Sequence, residues 1–474
     1  MSTFGALNTA FSGLNAARQG LNVVGQNIAN ANTAGYTRQR VSTSSVPATA
    51  DVGLFSGGTR AGQGVSVDGV ARLGDSFLDA RVRSTTADAG YTAVRSNALT
   101  AIEDSTREPG EDGISAKLTA FWAGWGAVSN QAGEPAPAVL LLSAANALTG
   151  QLASGYSALE DQWSQTRSQT DAMTTDLNNA ASQVADLNAA IRSTLAAGGS
   201  ANELMDQRST LTTSIASLAG GTVREAKDGT VDVYIGGNPL VTGATSRTVK
   251  LTGASSMDAN GAAAPVQLEW ADNPGQMVPL DGGEIAGAIS VLAPADGTDS
   301  GGAIAEAAKS YNDFASNLSA AVNAVHAGGV TSAGKPGTNF FASSGGPAAK
   351  NLTVVPQSVA DLATGAPGAG GLDGSNADKI SQLGTGPASP DSAWSTFITK
   401  LGVSSRTEQQ HGTLAAASAS AAVQTQASSA SVDLDEENMN MLSYQHAYQA
   451  AARVMTAVDD MLDTLINKTG LVGR

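Results

Sequence analysis

The sequence predicts a mainly α-helical, elongated protein with an inserted β domain. Its first and last helices pair with each other, and the rest of the chain lies between them in sequence. Three observations predict this nested fold class. Apolar residues recur every three or four positions near both ends, the same spacing continues through a long central stretch, and short β-like runs replace it after Gly220. We therefore expect the N- and C-terminal helices to pair as a coiled coil, with a long helical bundle in the middle and a small all-β outer domain.

The first and last helices each carry one apolar seam, and the two are called here the terminal seams. The first helix is predicted over 4–29, and the last begins near Asp433. An Ala- and Asn-rich helix is marginal alone in water, so we expect neighbouring subunits to cover the seams; the alternative is an internal bundle core. The seam residues are Leu7, Leu14, Leu21, Val24 and Ile28, followed by Met441, Tyr444, Tyr448, Met455, Val458, Leu462 and Leu465.

Between the terminal helices, the first half of the chain alternates between extended and helical patterns. Residues 37–75 contain short alternations, such as Val65-Ser66-Val67, that indicate extended or hairpin structure. Proline and glycine residues then separate the helical segments. These helices are predicted over 76–104, 114–128, 137–195 and 202–218. The third is too long for a compact globule and indicates an elongated bundle.

The second half begins with β-like runs bounded by Gly and Pro and then returns to helix. Helical spacing resumes near Glu284 and continues to Val325, residues 327–392 are Gly/Ser/Pro-rich and read as loop, and 393–430 again has helical composition. We predict three domains: a terminal coiled-coil domain of 1–60 with 425–474, an elongated helical bundle of 61–220 with 282–424, and an inserted β domain of 221–281.

Composition argues against several classes of function. The net charge is −16, and no basic cluster is present for nucleic-acid phosphates, so no nucleic acid is expected as a partner. The chain has no cysteine, which excludes disulfides and thiolate chemistry. No stretch reaches roughly 18 continuous apolar residues, and the first helix lacks the features of a cleavable signal peptide. We expect neither membrane insertion nor signal-peptide cleavage.

The sequence also lacks the patterns that carry catalysis or metal binding. His326, His411 and His446 are isolated, and no hydrolase, zinc or phosphate-loop motif occurs. The acidic run 433–437 lacks the spacing of a calcium loop, and we interpret it as acids favoured at a helix N-terminus. We therefore expect no enzyme, with no catalytic, cofactor-binding or metal-binding residues. A ligand-binding function of 221–281 is the alternative outside the structural class.

Residues 21–36 resemble a signature of the bacterial flagellar axial family, which comprises rod, hook and hook-associated proteins. In that family a helix of this kind runs into an Ala-Asn-x-x-Thr-x-Gly-Tyr turn. The matching positions, called here the axial-family turn, are Ala29, Asn30, Thr33, Gly35 and Tyr36. Residues 62–67, 202–208 and 444–454 are further similar to the hook-associated members.

The resemblance implies a structural component of the flagellum that joins the hook to the filament and is needed for filament assembly. It implies export by the flagellar type III route to the outside of the cell, without a cleavable signal peptide. The implied partners are copies of the chain itself in a ring of about one helical turn, the hook protein, hook-associated protein 3, and an export chaperone on the C-terminal helix. Another axial protein, such as the hook protein or a flagellin, is the alternative within the family.

A charge placed in either terminal seam tests its expected role in assembly. We expect Leu14→Asp or Met455→Asp to leave the middle of the chain folded but to block incorporation into flagella, because a carboxylate cannot be buried against apolar neighbours without a large cost. Circular dichroism checks the fold, and electron microscopy of cells checks assembly. Normal filaments on cells that carry either variant would refute the expectation.

Overall fold

The computed structural model describes residues 3–48, 62–258, 264–298 and 300–468, and the domain boundary predicted at residue 60 lies outside these ranges. Helices make up most of this part of the chain. They are α1 (Thr3–Asn30), α2 (Ser76–Thr106), α3 (Ile114–Asn130), α4 (Pro135–Ala196), α5 (Asn202–Ala219), α6 (Gly283–Leu292), α7 (Ala303–Ala327), α8 (Ala348–Asn351), α9 (Ser375–Ser381), α10 (Pro390–Ala430) and α11 (Leu434–Asp463).

The strands are short and form small antiparallel sheets. They are β1 (Gln39–Ser45), β2 (Val65–Arg72), β3 (Thr222–Glu225), β4 (Val231–Ile235), β5 (Asn238–Thr242), β6 (Thr245–Ser246), β7 (Val249–Thr252), β8 (Gln267–Trp270), β9 (Phe341–Ser343) and β10 (Leu352–Val354). Four strands form one sheet in the order β3-β4-β5-β6, and the pairs β1–β2, β7–β8 and β9–β10 are separate. The mainly helical fold class with inserted β strands is therefore confirmed.

The first and last helices pack against each other in antiparallel orientation, as the terminal seams predicted. Asn27 near the end of α1 bonds to Glu437 near the start of α11. About two turns further into the pair, a Cβ at Gly20 would lie 2.5 Å from the ring of Tyr444, so this ring packs directly on the backbone of α1. Both ends of the chain thus belong to one helical pair.

The middle of the molecule is organised around α4, which has 62 residues and is about 93 Å long at 1.5 Å per residue. Its fully buried side chains include Leu148, Leu159 and Trp163, which join α3, α7 and α10 in the main hydrophobic core. Returning along the molecule, α10 packs beside α2, where Arg95 Nη2 lies 2.8 Å from Glu408 Oε1. The chain therefore goes out along one set of helices and comes back along another.

Helix α4 is also long and apolar enough to cross a membrane, judged by length and composition alone. Core helices of other proteins pass the same test. Here Leu141, Leu148, Leu152 and Leu159 of this helix are fully buried against the rest of the chain. Its apolar character is accounted for by the core that it forms.

The strands between α5 and α6 pack on α4 and α5 and share their core. Val233, Val241 and Trp270 belong to the same buried cluster as Leu177 and Ile215 of the two helices. Two asparagines of α4 bond directly to strand backbones. The Asn178 side chain donates to Val249 O at 2.8 Å and accepts from Val249 N at 2.9 Å, and Asn188 does the same with Val231 O and N at 2.8 and 3.0 Å. Each amide thus satisfies both backbone groups of one strand residue, as a residue of a paired strand would.

The segment 327–392 is more ordered than its composition indicated, and the prediction of loop is wrong for much of it. It contains α8, α9, β9 and β10. Phe340 and Phe341 are 0% and 1% exposed and fill the core beside Phe121. The helix expected from Glu284 to Val325 is also interrupted, because Pro294 and Gly297 lie between α6 and α7.

His326 is fully buried in this part of the fold and is neutral there. Its Nδ1 lies 2.6 Å from Thr338 O, and the Ala363 N–H donates to Nε2 at 3.0 Å. The rings of Trp125 and Phe340 pack against it at centroid distances of 5.9 and 5.5 Å. Burial lowers the pKa of His326, and its bond to Thr338 opposes this only in part. Protonation of Nε2 would remove the acceptor that Ala363 uses.

His326 should therefore make stability depend on pH. The folded-state pKa lies below the unfolded value of about 6.5, so stability is unaffected above that pH and falls as the pH drops below it. Between about pH 7.5 and about pH 5.5 we expect a loss of up to about 1.4 kcal/mol that His326→Gln removes. Urea unfolding at each pH measures it, with the exposed His446→Gln as control. An unchanged pH slope in His326→Gln would contradict this assignment.

Candidate functional site

The axial-family turn follows α1 and packs against α5. Thr33 Oγ1 donates to Asn30 Oδ1 at 3.2 Å, and Asn30 Nδ2 donates to Gln26 O at 3.1 Å, so the turn bonds back to the end of the helix. Gly35 has φ +79°, and a Cβ there would lie 2.8 Å from Thr210 Oγ1. Both the left-handed backbone and the close approach require glycine at this position. Ala29, Thr33 and Gly35 are exposed.

Tyr36, the last residue of the axial-family turn, bonds to the buried side chain of Asn27. Its hydroxyl donates to Asn27 Oδ1 at 2.9 Å. The pKa of Tyr36 is raised to about 12, first by burial and then by the negative charges of Glu203, Asp206 and Glu437. The hydroxyl therefore stays protonated and keeps donating at any physiological pH.

Asn27 is 1% exposed and uses both ends of its amide. Besides the Tyr36 hydroxyl, Oδ1 accepts from Gln39 N at 3.0 Å. The Nδ2 group donates to Gln39 O at 2.9 Å and to Glu437 Oε2 at 3.1 Å. One side chain thus joins α1, the turn, β1 and α11. We call Asn27, Arg38, Gln39, Asp206 and Glu437 the terminal joint.

Glu437 is the buried charge of the terminal joint. Its side chain is 1% exposed, and Arg38 Nε lies 2.7 Å from Oε1. The same guanidinium makes two parallel bonds to Glu436, of 2.8 and 2.7 Å, and the Glu436 bond raises the pKa of Arg38. The Arg38 N–H also donates to Ala430 O. Arg38 therefore connects the last residue of α10 with the first turn of α11. Lysine could not reproduce the two parallel bonds that the guanidinium makes to Glu436.

Asp206 ties the joint to the middle of the molecule. Its Oδ2 accepts from Thr37 N at 3.0 Å, and Arg72 Nε lies 2.6 Å from Oδ1. Next to it, Asn202 Nδ2 donates to Gln39 Oε1 at 3.1 Å and to Val70 O at 3.0 Å. The start of α5 thereby holds the β1–β2 pair, which carries the terminal helices.

The acids at the start of α11 behave as predicted. Asp433 caps the helix, and its Oδ1 accepts from Asp435 N at 2.9 Å and from Glu436 N at 3.3 Å. Arg38 lowers the pKa of Glu436.

The described residues contain no group of three or more His, Cys, Asp or Glu side chains placed to hold a metal ion.

The terminal seams lie along the α1–α11 pair, but the pair does not bury all of them. Val24 and Val458 are buried, whereas Tyr448 and Leu465 are exposed. The remaining seam residues are partly buried; they are Leu7, Leu14, Leu21, Ile28, Met441, Tyr444, Met455 and Leu462.

A second apolar surface runs along the same pair and is exposed. On α11 it consists of Met439, Leu442, Val454 and Met461, which are 66%, 54%, 48% and 55% exposed. On α1 the large exposed apolar side chains are Phe4 and Phe11. We call these side chains the exposed strip; so many large apolar side chains exposed on one helical pair are typical of a surface that another chain covers.

Most of the terminal joint lies outside the site residues predicted from the sequence. Asn30 and Tyr36 of the turn are among those predicted residues, whereas Asn27, Arg38 and Asp206 are not. A signal for Asn27 existed, because it lies three residues after the seam residue Val24 and next to Ile28. A polar side chain on the apolar face of a helix often specifies a partner.

Three family models match the chain. The flagellar hook-associated protein FlgK helical domain matches residues 99–341, the flagella basal body rod protein matches 7–37, and the flagellar basal body rod FlgEFG protein C-terminal matches 424–468. The first covers α3 to α7 with the strands between them. The rod-protein model coincides with α1 and the axial-family turn, and the C-terminal model coincides with α11. The terminal joint binds these two parts of the chain together.

Relatives of known identity agree with these matches. The chain is 29% identical over its full length to the full length of flagellar hook-associated protein 1 of Bacillus subtilis (strain 168). It is 30% identical over 244 residues to flagellar hook-associated protein 1 of Salmonella typhimurium, which spans 51% of this chain and 43% of that protein. The flagellar hook junction protein FlgK from Burkholderia pseudomallei has a similar fold, with a TM-score of 0.62, 15% identity, and coverage of 73% of this chain and 99% of that one.

These features define a structural protein of the bacterial flagellum, with paired terminal helices joined to a long helical middle. Within that class, the chain belongs to the family of flagellar hook-associated protein FlgK. The resemblance found in the axial-family turn is thereby confirmed and narrowed to one branch of the axial proteins.

Replacing Asn27 by leucine should open the terminal joint. Asn27→Leu leaves Gln39 N, Gln39 O and the Tyr36 hydroxyl without a partner, so we expect the α1–α11 pair to lose about 2–4 kcal/mol. Hydrogen exchange of the Gln39 amide and protease cleavage near residue 432 measure this opening. Asn22→Leu, at an exposed position of the same helix, is the matched control. Equal protection of the Gln39 amide in both variants would refute the role of Asn27.

Proposed function

We propose that this chain is a structural subunit of the bacterial flagellum that joins the hook to the filament and is needed for filament assembly. The observation that carries the proposal is the match of its middle to the helical domain of FlgK, with axial-family termini on both sides. Its relatives are structural proteins, and we propose that the chain is likewise not an enzyme. The FlgK match favours this function over a hook protein or a flagellin.

The three predicted domains have different roles in this proposal. The terminal coiled-coil domain, 1–60 with 425–474, assembles with neighbouring subunits through the terminal seams and the exposed strip. The helical bundle, 61–220 with 282–424, supports it through Asp206 and Arg72. The β domain, 221–281, is carried on α4 and α5, and its close packing on them favours a structural role over a separate ligand-binding one.

The proposed partners follow from the exposed strip and from the relatives. They are copies of the chain in a ring of about one helical turn, the hook protein, hook-associated protein 3, and an export chaperone that covers α11 before export. The side chains of Met439, Leu442 and Met461 support this, because each is more than half exposed on one helix. We propose that the protein acts outside the cell, in the flagellum, after export without signal-peptide cleavage. Neither nucleic acid nor membrane insertion belongs to the proposal.

Cells that lack the gene test the proposed function directly. We expect electron microscopy to show hooks without filaments and immunoblots to show flagellin monomer in the medium. Complementation with the unmodified chain should restore filaments, and the exposed Asn22→Leu variant should do so equally well. Asn27→Leu should restore fewer filaments, because its terminal helices open. Full-length filaments on the deleted cells would overturn the proposal.

A further inference from the structure

A cleft lies between the axial-family turn and the facing surfaces of α4 and α5. Its volume is about 740 Å³. Its apolar lining, which we call the floor, comprises Leu187 and Leu211 of the two helices and the ring of Tyr36. The complete lining is Asn30, Thr33, Ala34, Gly35, Tyr36, Gln183, Asp186, Leu187, Glu203, Asp206, Gln207, Thr210 and Leu211. The cleft therefore offers both apolar contact and a rim of polar groups.

The rim is acidic, and no lysine or arginine lines it. Asp206 is paired with Arg72, and Glu203 accepts a bond from the Gln39 amide. Asp186 is exposed, and its side chain has no hydrogen bond or ion pair within the described part of the chain. The raised pKa of Tyr36, to which Glu203 and Asp206 contribute after burial, agrees with a negative potential in the cleft. An occupant that combines a cation with an apolar group fits this surface.

The start of α2 presents such a pair on the surface. Phe77 is 85% exposed, more than any other large apolar side chain in the described residues. Arg81 lies one turn further on the same face, is exposed, and has no ion pair or side-chain hydrogen bond among those residues. Asp75 caps the helix by accepting from Phe77 N at 2.8 Å, which fixes the first turn. Phe77 and Arg81 form what we call the α2 knob.

The cleft and the α2 knob lie at the same level of the molecule. Asp206 lines the cleft and also binds Arg72, and Arg72 ends β2 only five residues before Phe77. A neighbouring copy at the same level can therefore present its α2 knob to the cleft. Because the two surfaces differ, their contact is head-to-tail, and repeated contacts of this kind build a ring or a helical array.

Another exposed apolar–basic pair fits the cleft less well. Val403 and Arg406 of α10 already line a surface pocket of their own chain together with Glu103 and Glu108. Acidic neighbours are thus present for Arg406, whereas the described structure gives Arg81 no ion pair.

We propose that the acidic cleft of one subunit receives Phe77 and Arg81 of a second copy of the chain, with Arg81 beside Asp186. The phenyl ring covers the apolar floor, and the guanidinium neutralises the unpaired carboxylate at the rim. This inference rests on the proposed function, since it assigns the contact between copies in the ring.

Charge reversal at the two positions tests the pairing. In cells that express only the variant, Asp186→Arg or Arg81→Glu should each lower the number of filaments per cell at least about tenfold, because like charges then meet. The double variant restores the opposite charges and should recover most filaments. Both positions are exposed, and circular dichroism of each purified full-length variant checks that it is folded. A double variant no better than the worse single one overturns the pairing.

Cysteine cross-linking gives an independent readout, since the chain has no cysteine of its own. A full-length variant with Ala80→Cys and Gln183→Cys should form disulfide-linked oligomers in isolated flagella but not as a dilute monomer, because a disulfide requires close Cβ atoms. The control variant pairs Ala80→Cys with Ser404→Cys on the exposed surface of α10. Cross-links from Gln183→Cys to another flagellar protein, or none in flagella that contain the chain, overturn the inference alone. Absence of the chain from unmodified flagella overturns the proposed function as well.

Discussion

The carboxylate of Glu437 is buried between Asn27 and Arg38, and the two ends of the chain are held together at that point. A buried carboxylate is costly unless it is both paired and hydrogen-bonded, and here it is both. The same groups bond to the backbone of Gln39, which begins the β1–β2 pair. Since the α1–α11 contact has few fully buried side chains, this polar joint, rather than the apolar seam, fixes how the terminal helices are paired.

A buried asparagine that bonds to strand backbone occurs again further along the molecule. Asn188 bonds to the backbone of Val231 at both its oxygen and its nitrogen, and Arg208 Nη1 donates to Asn188 Oδ1 at 2.9 Å. Burial lowers the pKa of Arg208 to about 10, which leaves it charged at neutral pH. Only 4% of the residues are aromatic, and small apolar side chains alone would allow neighbouring elements to pack in more than one register. Buried amides that bond to backbone groups restrict each contact to one geometry.

The long helices and the terminal pair could be predicted because apolar spacing is a local property. The terminal joint could not, because its partners are far apart in sequence; Arg38 and Glu437 are separated by 399 positions. The ordered structure of segment 327–392 could not be predicted for a related reason. Phe340 and Phe341 are adjacent in sequence and carry no periodic pattern, and they are buried only because α3 and α7 enclose them. Glycine-rich composition indicates turns, but it does not indicate where those turns pack.

The separation of Asn27 from Glu437, 410 positions along the chain, also sets an order of events. Closing so long a loop directly costs about 5 kcal/mol of chain entropy. The cost falls once α2 and α10 have met, because their contact brings Asp79 and Gln426 within hydrogen-bond distance. The joint therefore closes last, after the middle has folded, and a chain that stops short of Glu437 cannot close it. Formation of the joint thus reports that the polypeptide extends through Glu437 and that its middle has folded, and it does so where the two terminal helices meet.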